Sequence, residues 1–437
     1  MNPMSDVSPE AVINPTGLRG ILKYIPLFQD QVFVIAVDGR IVADDNFGNL
    51  LLDIAVLRSL SIKVVLVHGI GYQLSELSTA HDIPISDRHG LGMTDEPTLR
   101  LAVNASTQTA HDIMGRLARL NLKAALVNAV RATPVGIVKG RDQLYSGKVE
   151  RIDPNLIHHL ISGKIIPLVS PIGFDRDGRS HRLNSDHLAT ELAIAIKAAK
   201  LIFLSPLPGL SIGENLHRQI PVEELRDIVE NDPERIEENT RSKAIHAIKA
   251  IEAGTPRVHI LNGQLPEGLL QEIFSNEGVG TLIYGNDYLQ VRRATGLDVR
   301  AIHRLTRNAV KREELVHRSL QSIKGNIDDF FVFEVDENPV ACVALTEHPE
   351  EGWAELASLY VMPFYQHGGI GKRMVEFACR EAKRQGIPRI FALSTQSYRF
   401  FSSVCGFRAG DRETLPPSRR ESYDAAQRNS KILYRDL

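Results

Sequence analysis

One short run in this 437-residue chain combines the residue types that recognition of a large anion needs. Gln366-His367-Gly368-Gly369-Ile370-Gly371-Lys372 lies directly after an apolar strand pattern and directly before a helical one. Glycines there let the backbone approach a pyrophosphate closely. The unpaired N–H groups of a helix start, aided by the helix dipole, then hold its charge. Lys372 and Arg373 add positive charge in the first turn. A second run, His68-Gly69-Ile70-Gly71, also sits between a strand and a helix and could aim N–H groups at an anion. Glycine after a strand most often only makes the turn, so this signal is weaker. Leu183-Asn184-Ser185-Asp186 opens a helix, where Asn or Asp commonly serves as the N-cap. HExxH, GxSxG and Walker motifs are missing, and His158-His159 and the other histidines read as ordinary surface or core residues.

The elements that must position these runs fall into two patterns. Val32–Val37, Ile62–Val67, Ala124–Val127, Ile165–Val169, Leu201–Leu204 and Arg257–Leu261 are short apolar runs typical of strands buried on both faces. Amphipathic segments such as Asn49–Ser61, Pro97–Leu120 and Asp186–Ala199 separate them, which predicts a mainly parallel sheet covered by helices. Ahead of the first strand, Leu18–Gln29 has helical spacing; it packs either on another subunit or on its own domain's edge. The pattern changes near Tyr284–Leu289, so domains are expected at 1–285 and 290–437. The second should hold an antiparallel pair, Phe330–Val335 and Pro339–Leu345, joined by Asp336-Glu337-Asn338. Strand Ala354–Val361, helix Gly369–Gln385, strand Arg389–Ser394, a short helix Ser397–Val404 and strand Ser430–Tyr434 should follow.

Composition narrows the function classes. Lys plus Arg is 51 and Asp plus Glu 53, a net charge of -2, so no global basic field draws the chain to nucleic acid or an anionic membrane. Three scattered cysteines, Cys342, Cys379 and Cys405, fit neither a disulfide framework nor a four-ligand zinc site, and no metal is expected. Met1–Gly20 lacks the layout of a signal peptide and no apolar run is long enough to span a bilayer. A soluble, cytoplasmic protein is expected.

Residues 18–285 resemble the amino-acid kinase family, particularly the acetylglutamate kinases. The resemblance is carried in order by the first strand with Gly39, His68-Gly69-Ile70-Gly71, Asn184-Ser185-Asp186, Ser205–Gly209, and Arg241–Gly254 leading to His259 and Gly263. The departures are specific. Ala36 stands where the family places a lysine that neutralises the transferring phosphoryl group. Asp38 stands where it has glycine, Ile70 replaces a phosphate-loop glycine, and Ser205-Pro206-Leu207-Pro208-Gly209 replaces a segment bearing an Asp. Phosphoryl transfer depends on positioned positive charge and close backbone approach, so this domain is expected to have lost it.

Gln366-x-x-Gly369-x-Gly371, with Cys405-Gly406-Phe407 downstream, resembles the acetyl-CoA loop of the GCN5-related N-acetyltransferases. The fold class this implies is α/β: a parallel-sheet amino-acid kinase-like domain followed by a mixed-sheet α+β N-acetyltransferase domain. That fusion is similar to the N-acetylglutamate synthase family of amino-acid N-acetyltransferases. Further matches are Glu272-Ile273-Phe274, Glu277-Gly278-Val279-Gly280-Thr281, Arg292-Arg293-Ala294, Leu315-Val316-His317-Arg318-Ser319, Leu415-Pro416-Pro417 and Arg428-Asn429-Ser430-Lys431.

The resemblance implies acetyl transfer from acetyl-CoA, a co-substrate rather than a tightly bound cofactor, to L-glutamate, giving N-acetyl-L-glutamate and CoA in arginine biosynthesis. It implies Glu355 as general base, with Ser394 as the acid that protonates the leaving thiolate. Tyr398 rivals Ser394, because a phenol is closer to a thiol in pKa. Acetyl-CoA would lie on Leu359, Val361, Gln366, Gly368, Gly369, Gly371 and Lys372. Glutamate would meet Arg428, Ser430 and His317, plus backbone groups of Leu315 and Ser358; His317 departs from the arginine that bacterial relatives often carry. L-Arginine, as effector, would bind Glu272 and the backbone at Gly278 and Gly280, with Lys243, His259 and Tyr24 as neighbours. A homo-oligomer is expected. Two other readings stay open: an arginine-binding sensor whose acetyltransferase half serves another amine, and a bifunctional synthase and kinase.

Overall fold

The computed structural model describes residues 28–87, 90, 92–274, 278–285, 291–311, 315–335, 338–366, 369–425 and 430–437. The segment 18–27 of the expected N-terminal helix, with Tyr24, lies outside them, as do Asp336 and Glu337 of the expected turn. The chain divides into two compact units after Gly285.

In the first unit, β1 (Val32–Val37), α1 (Phe47–Ser59), β2 (Lys63–His68), α2 (Gly71–His81), α3 (Glu96–Arg119), β3 (Ala124–Leu126) and β4 (Ile166–Val169) come first. They are followed by α4 (Ser185–Ala195), β5 (Lys200–Ser205), β6 (Gln219–Pro221), α5 (Glu238–Glu252), β7 (Arg257–Asn262), α6 (Gly268–Phe274) and β8 (Thr281–Tyr284). The strands form one eight-stranded sheet in the order β6-β8-β7-β5-β1-β2-β4-β3. Every pairing is parallel except β7 with β8. The apolar runs are continuous because helices cover both faces. Val34, Val65 and Leu201 point into one core, and Phe33, Ile35, Val64 and Ile202 into the other. The six strands expected from sequence are all present, with ends shifted by a residue or so. Less visible in the sequence is a four-stranded sheet of Val130–Pro134, Gly147–Ile152, Ile172–Phe174 and Ser180–Arg182, whose strands carry many exposed polar residues.

The second unit runs β9 (Val291–Arg293), α7 (Val299–Lys311), α8 (Leu320–Gly325), β10 (Phe330–Val335), β11 (Asn338–His348), β12 (Trp353–Val361) and α9 (Ile370–Arg384). It closes with β13 (Arg389–Ser394), β14 (Arg408–Gly410), α10 (Pro417–Ala425) and β15 (Lys431–Asp436). Its sheet order is β9-β10-β11-β12-β13-β15-β14, with β12 and β13 the parallel pair. The expected short helix at Ser397–Val404 is wound as a π-helical turn over Phe400–Val404. β14 and α10 are not among the elements expected from the sequence pattern. No helix among the described residues is long and apolar enough to cross a membrane.

Candidate active site

The second unit's centre is a place where its sheet opens. β12 pairs with β13 only from Trp353 to Glu355, against Arg389 to Phe391, although β12 continues to Val361. On its other side, β12 carries a bulge in its pairing with β11, and Ser358 takes a left-handed φ of 53°. A non-glycine residue in that region is strained. The irregularity turns β12 away from its parallel neighbour and leaves Leu359 and Val361 half-buried beside the gap.

The glycine-rich run stands at the end of that gap. Gly369 has φ 74° and is the N-cap of α9, with no side chain capping the helix. Only glycine adopts that conformation without strain. Gly371 serves a different end: a Cβ there would lie 3.2 Å from Phe400 Cζ and 3.7 Å from Val361 Cγ2. Its bareness lets α9 start close against β12 and the π-helical turn. Gln366 Nε2 donates to Val361 O at 3.0 Å, tying loop to strand. Lys372 lies 3.9 Å from Glu376 and stays half-exposed. Gly368 lies outside the described residues.

Glu355, at the last paired position before the gap, is half-buried and not alone. Arg419 of α10 grips both its oxygens, Nε to Oε2 at 2.8 Å and Nη2 to Oε1 at 3.2 Å. His348 Nε2 stands 3.8 Å from Oε2. Burial pushes the Glu355 pKa up, but His348 and Arg419 outweigh it and hold the carboxyl below its usual range. No sequence motif marks either partner, because Arg419 comes from α10, 64 positions away, and His348 from the end of the neighbouring strand β11.

Ser394 ends β13, is buried, and accepts the Ser397 N–H at 2.9 Å, so it caps the following turn. Its own O–H remains able to donate. Tyr398 is half-buried, with Lys431 Nζ 4.4 Å from its ring centre. Ser430 is half-buried and its carbonyl accepts from Tyr423 Oη at 2.8 Å. His317 is exposed, with its ring 6.5 Å from that of His303, and Leu315 N donates to Ala309 O. Arg428 lies outside the described residues.

In the first unit, four of the residues matched to an arginine pocket come together. Glu272 is buried; Oε1 meets His259 Nδ1 at 2.7 Å, and Oε2 accepts the N–H groups of Val279 and Gly280 at 2.7 and 2.8 Å. A Cβ at Gly278 would come within 2.6 Å of Oε2. Burial raises the Glu272 pKa, and these bonds bring it below the ordinary value. Lys200 Nζ, also buried, stands 3.2 Å from His259 Nε2.

Lys243 belongs to a different place. Its ammonium lies 3.2 Å from Asp186, in a cleft of about 860 Å³ that Asp38, Gly69 and Gly71 also line and Glu272 does not. Burial lowers the Lys243 pKa, but Asp186 and Asp38 carry it above the usual lysine range. Asp38 itself accepts the Arg40 N–H at 2.9 Å. Among the described residues no group of three His, Cys, Asp or Glu could hold a metal ion.

A sheet opened beside a glycine-started helix, joined to a kinase-like sheet, defines a two-part N-acetyltransferase. Residues 31–262 match the amino acid kinase family and residues 297–407 the acetyltransferase (GNAT) family. The amino-acid acetyltransferase of Escherichia coli is 33% identical over 434 residues, covering 96% of this chain and 97% of that one. That of Vibrio cholerae is 33% identical over 437 residues, covering 96% and 98%. Two solved structures of N-acetylglutamate synthase from Neisseria gonorrhoeae each cover 97% of this chain and 99% of theirs. The complex with coenzyme A and N-acetyl-glutamate is 30% identical with a TM-score of 0.63. The complex with coenzyme A and L-arginine is 29% identical with a TM-score of 0.77. The chain belongs to the amino-acid acetyltransferase family.

Proposed function

We propose that the chain transfers acetyl from acetyl-CoA to the α-amine of L-glutamate, giving N-acetyl-L-glutamate and CoA, with L-arginine as a regulator bound to the first unit. The observation that carries the reading is the full-length likeness to the N-acetylglutamate synthase complexed with coenzyme A and N-acetyl-glutamate. The arginine part is supported by the second complex.

In this reading, the pyrophosphate of acetyl-CoA lies on the N–H groups at Gly369 to Lys372, and the thioester reaches into the gap between β12 and β13. Glu355 removes the acceptor's ammonium proton. The amine nitrogen then attacks the thioester carbon, the C–S bond breaks, and Tyr398 or Ser394 protonates the departing thiolate, regaining its proton from the second one that the nitrogen loses as the amide forms. Arg419 holds the Glu355 carboxylate in its charged form, and Arg428, Ser430, His317 and the backbone of Leu315 and Ser358 make the glutamate site. Glu272, His259, Gly278 and Gly280 receive arginine, with Tyr24 closing the pocket and Lys243 set apart in the cleft. That cleft transfers no phosphoryl group, because Ala36 offers no charge and Lys243 is neutralised by Asp186 and Asp38. The setting is cytoplasmic and the assembly a homo-oligomer.

Thiol release measured over a panel of amino-acid acceptors, with and without ATP and arginine, tests this. Glutamate should be the best acceptor, ATP should change nothing, and arginine should shift the rate. A faster non-glutamate acceptor, or ATP consumption with acetylglutamate, overturns it.

A further inference from the structure

We propose that His348 passes the acceptor's proton from Glu355 to solvent by way of Ser418. The proposal rests on the reading of Glu355 as the base and adds the route by which that base is emptied.

A half-buried carboxylate that takes a proton each turnover while clamped by an arginine needs somewhere to send it. Arg419, which holds both Glu355 oxygens, neither accepts a proton nor gives one up. The imidazole of His348 stands on the other side. Its Nε2 is 3.8 Å from Glu355 Oε2, buried, and without a hydrogen-bond partner. Its Nδ1 is 3.3 Å from Ser418 Oγ, and that hydroxyl is 3.3 Å from Glu351 Oε1. Ser418 is exposed. The ring packs on Phe391, with 5.4 Å between centres and the planes tilted by 49°. A histidine present only to fill space would leave a buried ring nitrogen orphaned, which folded proteins rarely do. Catalytic hydrogen bonds are often long before substrate arrives.

The charged groups that face the ring are Glu355 on β12 and Glu351 in the turn before it, with Arg419 on α10 behind Glu355. Among side chains, imidazole is suited to take and release protons between pH 5 and 8. The proton leaves the ammonium for Glu355 Oε2 and moves to His348 Nε2. The ring gives its Nδ1 proton to Ser418, whose own hydroxyl proton goes to Glu351 or water. Exchange with water restores the starting tautomer, and the net result is one proton in solvent per acetyl transferred. His348 touches no substrate, so it is a positioning and relay residue acting through Glu355.

Full-length His348→Gln, His348→Ala and Glu355→Gln are compared by steady-state kinetics over a range of pH, buffer concentration and added imidazole. His348→Gln should lower kcat at least about tenfold, leave both KM values within about twofold, and make kcat rise with buffer concentration. Imidazole should restore part of the rate in His348→Ala. Wild-type kcat and pH profile in His348→Gln, or a loss that neither buffer nor imidazole repairs, overturns the relay while leaving Glu355 as base. Wild-type kcat in Glu355→Gln instead overturns the base itself, and the relay with it.

Discussion

The two units each contain Gly-Ile-Gly between a strand and a helix, at Gly69-Ile70-Gly71 and Gly369-Ile370-Gly371, yet they surround it with opposite charge. In the first, the loop faces Asp38 and Asp186 across the cleft, and the Lys243 ammonium is spent on them. Gly69 is bare for packing, since a Cβ would stand 3.2 Å from Gly39 N and 3.4 Å from Ser185 Oγ. In the second, Gly369 is left-handed, its helix start is uncapped, and Lys372 and Arg373 follow in the first turn. The same three letters therefore make a tight turn in one unit and a left-handed, uncapped helix start in the other. Charge and backbone conformation around the glycines decide which.

The largest expected effect tests that contrast directly. Gly369→Val forces a β-branched residue to φ 74° and should abolish acetyl-CoA binding by calorimetry. Gly69→Ala should leave acetyl-CoA affinity within about twofold. Equal losses in both variants would mean the loops are not functionally distinct.

A smaller effect concerns Arg419→Ala, which leaves the half-buried Glu355 carboxylate without its arginine partner. Breaking a fully buried pair costs about 3–5 kcal/mol; with the Arg419 side chain 24% exposed, about 2 kcal/mol is expected. Glu355 has its folded pKa below the ordinary glutamate value of 4.5, so its stabilisation is present above that pH and lost as pH falls through the folded value. Melting temperature against pH should therefore drop more steeply on the acid side in wild type than in Arg419→Ala. Parallel curves would show that the pair contributes nothing.

The contrast between the units also marks how far the residues could be read directly. β1, β2, β4 and β5 were legible because burial on both faces writes an unbroken apolar run. Val130–Pro134 and Gly147–Ile152 were not, because half of each strand faces water and reads as loop. The loop at Gly369 was legible by its spacing, and Glu355 by its family match. Arg419 and His348 left no such signal: they meet Glu355 from 64 and 7 positions away, on separate elements. The bend at Ser358 was hidden as well, because a left-handed serine carries no glycine to announce it.

Next in size is a change confined to regulation. Glu272→Gln keeps the side chain's shape but removes the charge that His259, Val279 N–H and Gly280 N–H share. The ratio of activity with and without arginine should approach one, which cancels any change in basal rate. Coupling of about 1–3 kcal/mol, or about 5- to 150-fold, is what the wild type has to lose. A wild-type ratio in the variant removes Glu272 from the arginine pocket, whereas a wild-type enzyme indifferent to arginine removes the pocket.

A last effect, on stability alone, lies behind α6, the helix that carries Glu272. Asp53 of α1 is buried and receives backbone hydrogen bonds from Leu269 and Leu270 in the first turn of α6. Burial dominates and lifts its pKa from 3.8 to about 7, with Glu267 nearby adding to the rise. The sign follows from proton binding: between those values the folded state holds a proton that the unfolded state has released. Wild-type stability should therefore fall as pH rises from 3.8 toward 7, then level off. Asp53→Asn cannot ionise and escapes that loss, which at 1.36 kcal/mol per pKa step would be about 4 kcal/mol. An amide is a weaker acceptor for the two N–H groups of α6, which returns about 1 kcal/mol each and leaves about 2 kcal/mol. The variant should melt higher than wild type above neutral pH, with the gap closing toward pH 4. A gap that is constant with pH would show that Asp53 stays charged in the fold, held by the helix start rather than penalised by burial.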